Sequence, residues 1–180
     1  MYGFQWRHFG AKYVDRDADY TGQGFDQLAD VINKIKHKPT DRRIIMSAWN
    51  PAALHEMALP PCHLLYQFYV GRGALSAQLY IRSSDAFLGL PFNIASVALL
   101  VHMLAQQCDL QPGEVVVTLG DAHLYSNHGD QVETQLQRTP MALPRLELIR
   151  RPDSIYGYQF EDFQLIGYEP AAHIAAPVAI

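Results

Sequence analysis

Cysteine is scarce in this 180-residue chain, which contains only Cys62 and Cys108. Two cysteines without a C-x-x-C spacing argue against a disulfide framework and against a structural zinc site. No apolar run approaches the ~18 residues of a membrane span, so no membrane association is predicted. The net charge of −4 argues against a general DNA-binding surface. Because no basic and apolar leader marks the start, a cytoplasmic location is expected.

The stretch ALPPCHLLYQFY (58–69) places two prolines directly before a cysteine and a histidine. Proline fixes its own φ and cannot donate to a sheet, so these prolines hold the chain in one approach to the strand that follows. Cys62 then lies at a strand entrance, where its side chain is available for chemistry. The alternative is a small core residue, because free cysteine is often buried. A Cys–His protease pair is disfavoured, since Cys62 and His63 are adjacent and point to opposite faces of a strand.

Periodicity predicts an α+β fold in which a mixed β-sheet packs on a long buried helix. The segment 91–108 is apolar nearly all round, which is typical of a helix in the middle of a domain. The segment 74–82 alternates between apolar and polar residues after GRG, which predicts a hairpin with one apolar face. The predicted helices are 25–36, 91–108 and 124–138, and the predicted strands are 42–49, 64–70, 74–82, 114–120 (short and buried), 146–150 and 163–168.

Polar side chains cluster in RSSDAFLGLPFN (82–93), between the end of a strand and the start of the apolar helix. Arg82 and nearby serine hydroxyls can hold a phosphate through charge-assisted hydrogen bonds. If the strands are neighbours, Arg82 also lies near enough to Cys62 to stabilise a thiolate. Asn93 offers a donor and an acceptor, which suits the edge of a uracil ring. The alternative is a polar loop with a helix cap.

Two further polar stretches each admit two interpretations. The arginines of DRRII (41–45) are either charges that protect a strand edge or a second pair of phosphate ligands. In GDAHLYSNH, one interpretation of Asp121, His123 and His128 is a metal site. A carboxylate and two histidines are weak support for one, because no further clear ligand accompanies them. The other interpretation is that His123 and Tyr125 bind a sugar hydroxyl.

Together these stretches closely resemble the thymidylate synthase family over essentially the whole chain. The matching segments, in the family's order, are YGFQWRHFGA, DRRIIMSAWNP, MALPPCH, QFYV, RSSDAFLGLPFNIAS, LGDAHLYSNH and APVAI. The resemblance implies a thymidylate synthase-like fold that dimerises through its sheet. It also implies methylation of dUMP to dTMP, with 5,10-methylenetetrahydrofolate as donor of the one-carbon unit and the hydride, and with no metal.

The resemblance assigns roles to residues on the nucleotide side. Cys62 attacks C6 of the uracil ring, and Asn93 bonds the uracil edge and stabilises the enolate at O4. Arg82 and Asp85 complete the implied catalytic set. The implied phosphate ligands are Arg82 and Ser83, joined by Arg42 and Arg43 of the other subunit, and the implied ribose ligands are His123 and Tyr125.

On the folate side, the resemblance implies that Asp85 contacts both the pyrimidine and the pterin. The other residues that it places along the folate are Leu88, Gly89, Phe92 and the penultimate Ala179. Tyr2 and His63 are assigned to a supporting network of water and hydrogen bonds.

The resemblance further predicts that residues 1–180 form a single domain that is N-terminally incomplete. Family members carry a long segment before YGFQWR, with a glutamate that organises proton transfers. One alternative is therefore a catalytically deficient fragment that only binds nucleotide or pairs with a full-length subunit. Another is a related pyrimidine hydroxymethylase acting on dCMP. Asn93 argues against the hydroxymethylase, because those enzymes tend to have an aspartate there to meet the amino group of cytosine.

Overall fold

A computed structural model describes residues 2–178 of the chain. Within that range, a four-stranded sheet and a separate two-stranded sheet are accompanied by four α-helices and several short 3₁₀ turns. The strands are β1 (Ile45–Ser47), β2 (His63–Gly71), β3 (Ala74–Asp85), β4 (Gln111–His123), β5 (Arg145–Leu148) and β6 (Phe163–Ile166). The helices are α1 (Tyr2–Arg7), α2 (Gln27–His37), α3 (Gly89–Gln107) and α4 (Gly129–Leu136).

The larger sheet is mixed, as predicted. Its order is β1-β2-β3-β4, with antiparallel pairing from β1 to β3 and parallel pairing between β3 and β4. The predicted hairpin joins β2 to β3 through a tight turn in which Arg72 has a φ of 53° and Gly73 a φ of 75°. Positive φ at both central residues gives a turn whose twist matches that of the strands. The turn therefore fixes the register between β2 and β3, and with it the position of the far end of β3 relative to the start of β2.

The apolar face of β3 is buried as its alternation predicts. Leu75, Ala77, Leu79 and Ile81 are each at most 3% exposed. They belong to one core cluster that also contains residues of α2, β1, β2 and α3. Helix α2 joins this core with Leu28, Val31 and Ile35, and it begins at Gln27 rather than at 25 because Asp26 caps it by accepting a hydrogen bond from the Ala29 N–H.

The prediction that the apolar helix is buried all round is wrong for this chain. Val97, Val101 and Leu104 of α3 lie in the core, but Phe92 is 76% exposed and Ile94 is 45% exposed. Contrary to the sequence-based expectation, α3 is also long and apolar enough to cross a membrane by length and composition alone, and 22% of its most apolar 18 residues are buried. Its packing against β3 and β4 accounts for the buried side.

Strand β4 also differs from its prediction as a short buried strand at 114–120. It is 13 residues long, it forms one edge of the sheet, and Val116 is 52% exposed. An apolar run such as EVVVTLG does not show whether a strand is central or lies at an edge. Strand β1 is shorter than the predicted 42–49, because Asp41 accepts a hydrogen bond from the Arg43 N–H and turns the chain before Ile45.

The C-terminal third is more irregular than predicted. The helix expected over 124–138 is a 3₁₀ turn at Ser126–His128 followed by α4, so that Gly129 begins the α-helix instead of interrupting it. The two predicted late strands are confirmed as β5 and β6, which pair with each other in an antiparallel ladder separate from the main sheet.

Candidate active site

Three strand ends meet at one edge of the main sheet and carry most of the predicted site residues. Because β3 and β4 are parallel, their carboxyl ends lie side by side, with Asp85 opposite His123. Because β2 is antiparallel to β3, its first residue lies at the same edge, where the Arg82 N–H donates to the Cys62 carbonyl at 2.9 Å. The fold thus brings together segments that are some sixty residues apart in the chain.

Cys62 is held at this edge by its backbone. Its N–H donates to the Tyr2 hydroxyl at 2.8 Å, and its carbonyl accepts from Arg82. The preceding Pro61 is fully buried, whereas Cys62 is only partly buried, with part of its surface against the core. The cysteine is therefore both a packing residue and a side chain with access to the site, so the two sequence-based interpretations are not exclusive.

Arg82 is fixed by the two prolines that precede the cysteine. Its Nε donates to the Pro61 carbonyl and its Nη2 to the Pro60 carbonyl, both at 3.0 Å. The guanidinium carbon also lies 5.8 Å from the centroid of the Trp49 ring, within cation–π range. These two hydrogen bonds use two of its five N–H donors and leave the others for a ligand.

His63, the first residue of β2, is buried beside Cys62. Its Nδ1 lies 2.7 Å from the Tyr66 hydroxyl in a buried pair. Burial lowers the pKa of His63, and a hydrogen bond with Asn93 opposes that shift. The imidazole therefore connects the start of β2 to the second turn of α3.

The hydroxyl of Tyr2 contacts the backbone of both residues in the Cys-His pair. The N–H groups of Cys62 and His63 donate to it at 2.8 and 3.3 Å. Burial raises the pKa of the Tyr2 hydroxyl, whereas these two hydrogen bonds and the charge of Arg82 lower it. The hydroxyl is consequently a proton-bearing group next to the thiol.

The loop from β3 into α3 is shaped by Asp85. Its Oδ1 accepts hydrogen bonds from the N–H groups of Phe87 and Leu88 at 3.0 and 3.2 Å, which makes a tight turn into the helix. At Gly89 an added Cβ would lie 3.5 Å from the Asp85 Cβ and 4.0 Å from Asn93 Oδ1. The absence of a side chain at Gly89 therefore keeps the gap between Asp85 Cβ and the Asn93 amide oxygen unfilled.

At the end of β4, His123 and Tyr125 form a polar aromatic pair. Their rings are 5.0 Å apart and nearly perpendicular, and His123 Nδ1 bonds to Asp121 Oδ1 at 3.0 Å. His128, the third residue of the possible metal site, bonds instead to the Pro177 carbonyl. Within residues 2–178 no group of three or more His, Cys, Asp or Glu side chains has a metal-binding arrangement.

Arg42 and Arg43 are far from the other predicted ligands of the same chain. Since Ile45 pairs with Gln67, Arg43 lies level with Tyr69, seven residues along β2 from Cys62. At roughly 3.4 Å per residue this separation is about 24 Å. The Arg43 side chain is 85% exposed and bonds to its neighbour Asp41. This pair of arginines therefore lies far from the cysteine of the same chain.

Comparison with known proteins decides the family. The model of the thymidylate synthase family matches residues 1–180. This chain belongs to the thymidylate synthase family. It is 58% identical over 180 residues to the thymidylate synthase of Human herpesvirus 8 type P and 55% identical to that of Equine herpesvirus 2. It is 56% identical to the bifunctional dihydrofolate reductase-thymidylate synthase of Zea mays.

The match covers all of this chain but only part of each relative. The chain spans 53% of the herpesvirus 8 protein, 62% of the equine virus protein and 34% of the maize protein. The predicted family is thus confirmed, and the partial coverage agrees with a chain shorter than its relatives.

Sequence reasoning missed two groups that shape this candidate site. One is the pair of proline carbonyls that anchor Arg82, and the other is Trp49, whose ring lies beside the same guanidinium. The only sequence signal for Trp49 is its place just before Asn50-Pro51 in a family segment. The predicted folate contact Ala179 lies outside the described residues.

Proposed function

We propose that this chain carries the nucleotide-methylating site of a thymidylate synthase, converting dUMP to dTMP with 5,10-methylenetetrahydrofolate. The main observation that supports this proposal is the placement of Cys62. It is partly buried and held by backbone hydrogen bonds to Tyr2 and Arg82, and the guanidinium of Arg82 is itself anchored to the residue before the cysteine. A nucleophilic cysteine needs a positive neighbour and access to substrate, and this arrangement supplies both.

In the proposed reaction the Cys62 thiolate adds to C6 of the uracil ring and breaks the C5–C6 double bond. The electron pair moves to O4, where Asn93 stabilises the enolate by a hydrogen bond. C5 then bonds to the one-carbon unit and loses its proton to a base, and the bond from that carbon to the folate nitrogen breaks. A hydride from the folate is added to the same carbon to complete the methyl group, and the thiolate leaves C6 as the C5–C6 double bond re-forms. The His63–Tyr66 pair supports the stabilisation of the enolate at O4 by orienting Asn93.

The nucleotide phosphate is proposed to bind at the remaining N–H groups of Arg82 and at the Ser83 hydroxyl. Ser83 is half-buried and pairs in register with Asp121 of β4, so it lies between the arginine and the β4 end of the site. His123 and Tyr125 then meet the ribose hydroxyl at that end.

The folate supplies the one-carbon unit and the hydride when it is bound. Its proposed neighbours are Asp85, Leu88, Gly89 and Phe92, and two observations on them fit a flat ring system with polar edges. The position that a Gly89 side chain would fill lies between Asp85 Cβ and the Asn93 amide oxygen, and the nearby Phe92 ring is 76% exposed. An exposed aromatic ring next to polar groups can stack on a pterin or an aryl group.

Turnover with two nucleotides separates this proposal from its alternatives. We expect dTMP from dUMP and 5,10-methylenetetrahydrofolate, with dCMP used at least about 10²-fold less efficiently, since Asn93 is matched to uracil. Asn93→Asp is the isosteric control and should reduce this preference. Hydroxymethyl product from dCMP would favour the hydroxymethylase, and nucleotide binding without any product would favour the catalytically deficient fragment.

We also propose a homodimer in which Arg42 and Arg43 complete the partner's phosphate site, because about 24 Å separates them from the cysteine of their own chain. A mixing experiment tests this. Chains with Cys62→Ser and chains with Arg42→Met plus Arg43→Met should each be inactive, and reassorted dimers should recover about a quarter of the activity, because each mixed dimer has one intact site.

The matched control mixes Cys62→Ser chains with Arg82→Met chains. Both of these residues serve the same subunit's site, so no mixed dimer has an intact site and no activity should return. Recovery in the control, or no recovery in the first mixture, would contradict the donation of arginines between subunits.

A further inference from the structure

The C-terminal tail, residues 171–178, has no regular secondary structure but is hydrogen-bonded to the α4 region at three points. In each case a side chain of that region bonds to a backbone carbonyl of the tail. From the start of the tail to its end, the bonds are Arg138 Nη2 to Ala172 O at 2.6 Å, Gln131 Nε2 to Ala175 O at 3.4 Å, and His128 Nε2 to Pro177 O at 2.8 Å. Backbone recognition of this kind fixes the path of the tail independently of its side chains.

The bond nearest the end of the tail is made by a fully buried histidine. His128 is 0% exposed. A carbonyl oxygen can only accept, so His128 Nε2 must carry a proton and donate to Pro177, and the other ring nitrogen is Nδ1. Within residues 2–178 that Nδ1 has no hydrogen-bond partner although it is buried. A buried polar atom left unpaired is costly and calls for a functional explanation.

The His128 ring also contacts two walls of the active site. Its centroid lies 5.6 Å from that of Phe87, in the turn that Asp85 shapes, and 5.7 Å from that of Tyr125. One imidazole therefore joins the tail to the β3–α3 loop and to the end of the β4 segment. An apolar residue of the same size would keep the packing but would lose the bond to the tail.

We infer that His128 is a positioning residue that anchors the end of the C-terminal tail to the wall formed by Phe87 and Tyr125. The anchor holds Pro177 next to the loop that carries Asp85 and Leu88. Its consequence for catalysis, tighter binding of the folate, rests on the proposed function. The anchoring itself does not, so the two can be tested separately.

Removal of the tail by a carboxypeptidase tests the anchor without any need for activity. The full chain is compared with His128→Phe, which keeps the ring packing, and with His128→Gln, whose amide can donate from about the position of Nε2. Intact mass should show that H128F loses its last residues about fivefold faster than the parent, the effect of losing one neutral hydrogen bond. H128Q should be trimmed at close to the parent rate, because the donor is restored.

Two results would overturn the inference: H128F trimmed at the parent rate, or H128Q trimmed as fast as H128F. If H128F does not fold, a chain that ends at Ala176 removes the acceptor and leaves the histidine in place. That chain should lose its terminal residues at the rate expected of an unanchored tail, about fivefold above the parent. Resistance equal to that of the parent would show that the Pro177 bond does not hold the tail.

The catalytic consequence has its own measurement. In H128F the KM for the folate should rise about fivefold while H128Q stays within about twofold of the parent. A normal folate KM in H128F with a rapidly trimmed tail would retain the anchor and reject its role in folate binding. Absence of turnover in the parent would count against the proposed function and would leave the trimming result valid.

Discussion

Cys62→Ser should lower dTMP formation by about 10⁴-fold or more, the scale on which other enzymes fail when a covalent nucleophile is lost. A serine hydroxyl is far less acidic than a thiol, so the C6 adduct cannot form at neutral pH. The backbone bonds from Cys62 to Tyr2 and Arg82 do not involve the sulfur, so the fold should be unaffected. Initial rates with dUMP and folate, together with thermal unfolding, measure the two effects.

The chain offers a matched control in its other cysteine. Cys108 is also partly buried, but it lies at the C-terminal end of α3, at the far end of the helix from Asn93. Burial raises the pKa of Cys108, so it is a poor nucleophile where it stands. Cys108→Ser should keep nearly all activity. Comparable losses from both substitutions would contradict the assignment of Cys62 as the nucleophile.

Arg82→Lys should weaken dUMP binding about 10- to 100-fold even though the positive charge is kept. Lysine lacks the planar fork, so it cannot bond to the Pro60 and Pro61 carbonyls and a phosphate at the same time. A charge-assisted hydrogen bond to phosphate is worth about 1.5–3 kcal/mol, which sets this range. Titration calorimetry with dUMP measures the loss.

Deoxyuridine, which has no phosphate, separates the two tasks of Arg82. If the arginine binds phosphate, the ratio of dUMP to deoxyuridine affinity should fall in Arg82→Lys. If it only braces the two prolines, both affinities should fall together. Arg145→Lys is the matched control, because Arg145 pairs with Glu147 on the surface of β5 and should leave both affinities unchanged.

Local sequence patterns predicted those parts of the fold in which the pattern itself indicates which residues are buried and where the chain turns. The β2–β3 hairpin was predictable because alternation on β3 and a two-residue turn constrain each other. The burial of α3 was not predictable, because an apolar helix has the same sequence pattern whether or not a neighbour covers it. In this chain Phe92 and Ile94 are exposed, although their hydrophobicity predicts burial.

The site was predictable to the extent that it rests on side-chain chemistry. The resemblance and the residue types both indicate Cys62, Arg82 and Asn93, and the meeting of three strand ends brings their segments together. The anchoring of Arg82 was not predictable, because the partners are backbone carbonyls, which every residue has. The distance from Cys62 to Arg43 likewise depends on the register between β1 and β2, and the sequence around the two arginines does not indicate that register.

The most direct test of the account is to trap and locate the covalent adduct. The chain is incubated with 5-fluoro-dUMP and 5,10-methylenetetrahydrofolate and digested with trypsin, which separates Cys62 in 44–72 from Cys108 in 83–138. The account predicts one added nucleotide and folate per chain, on 44–72 alone, and none in Cys62→Ser. An adduct on 83–138, or labelling that persists in Cys62→Ser, would contradict it.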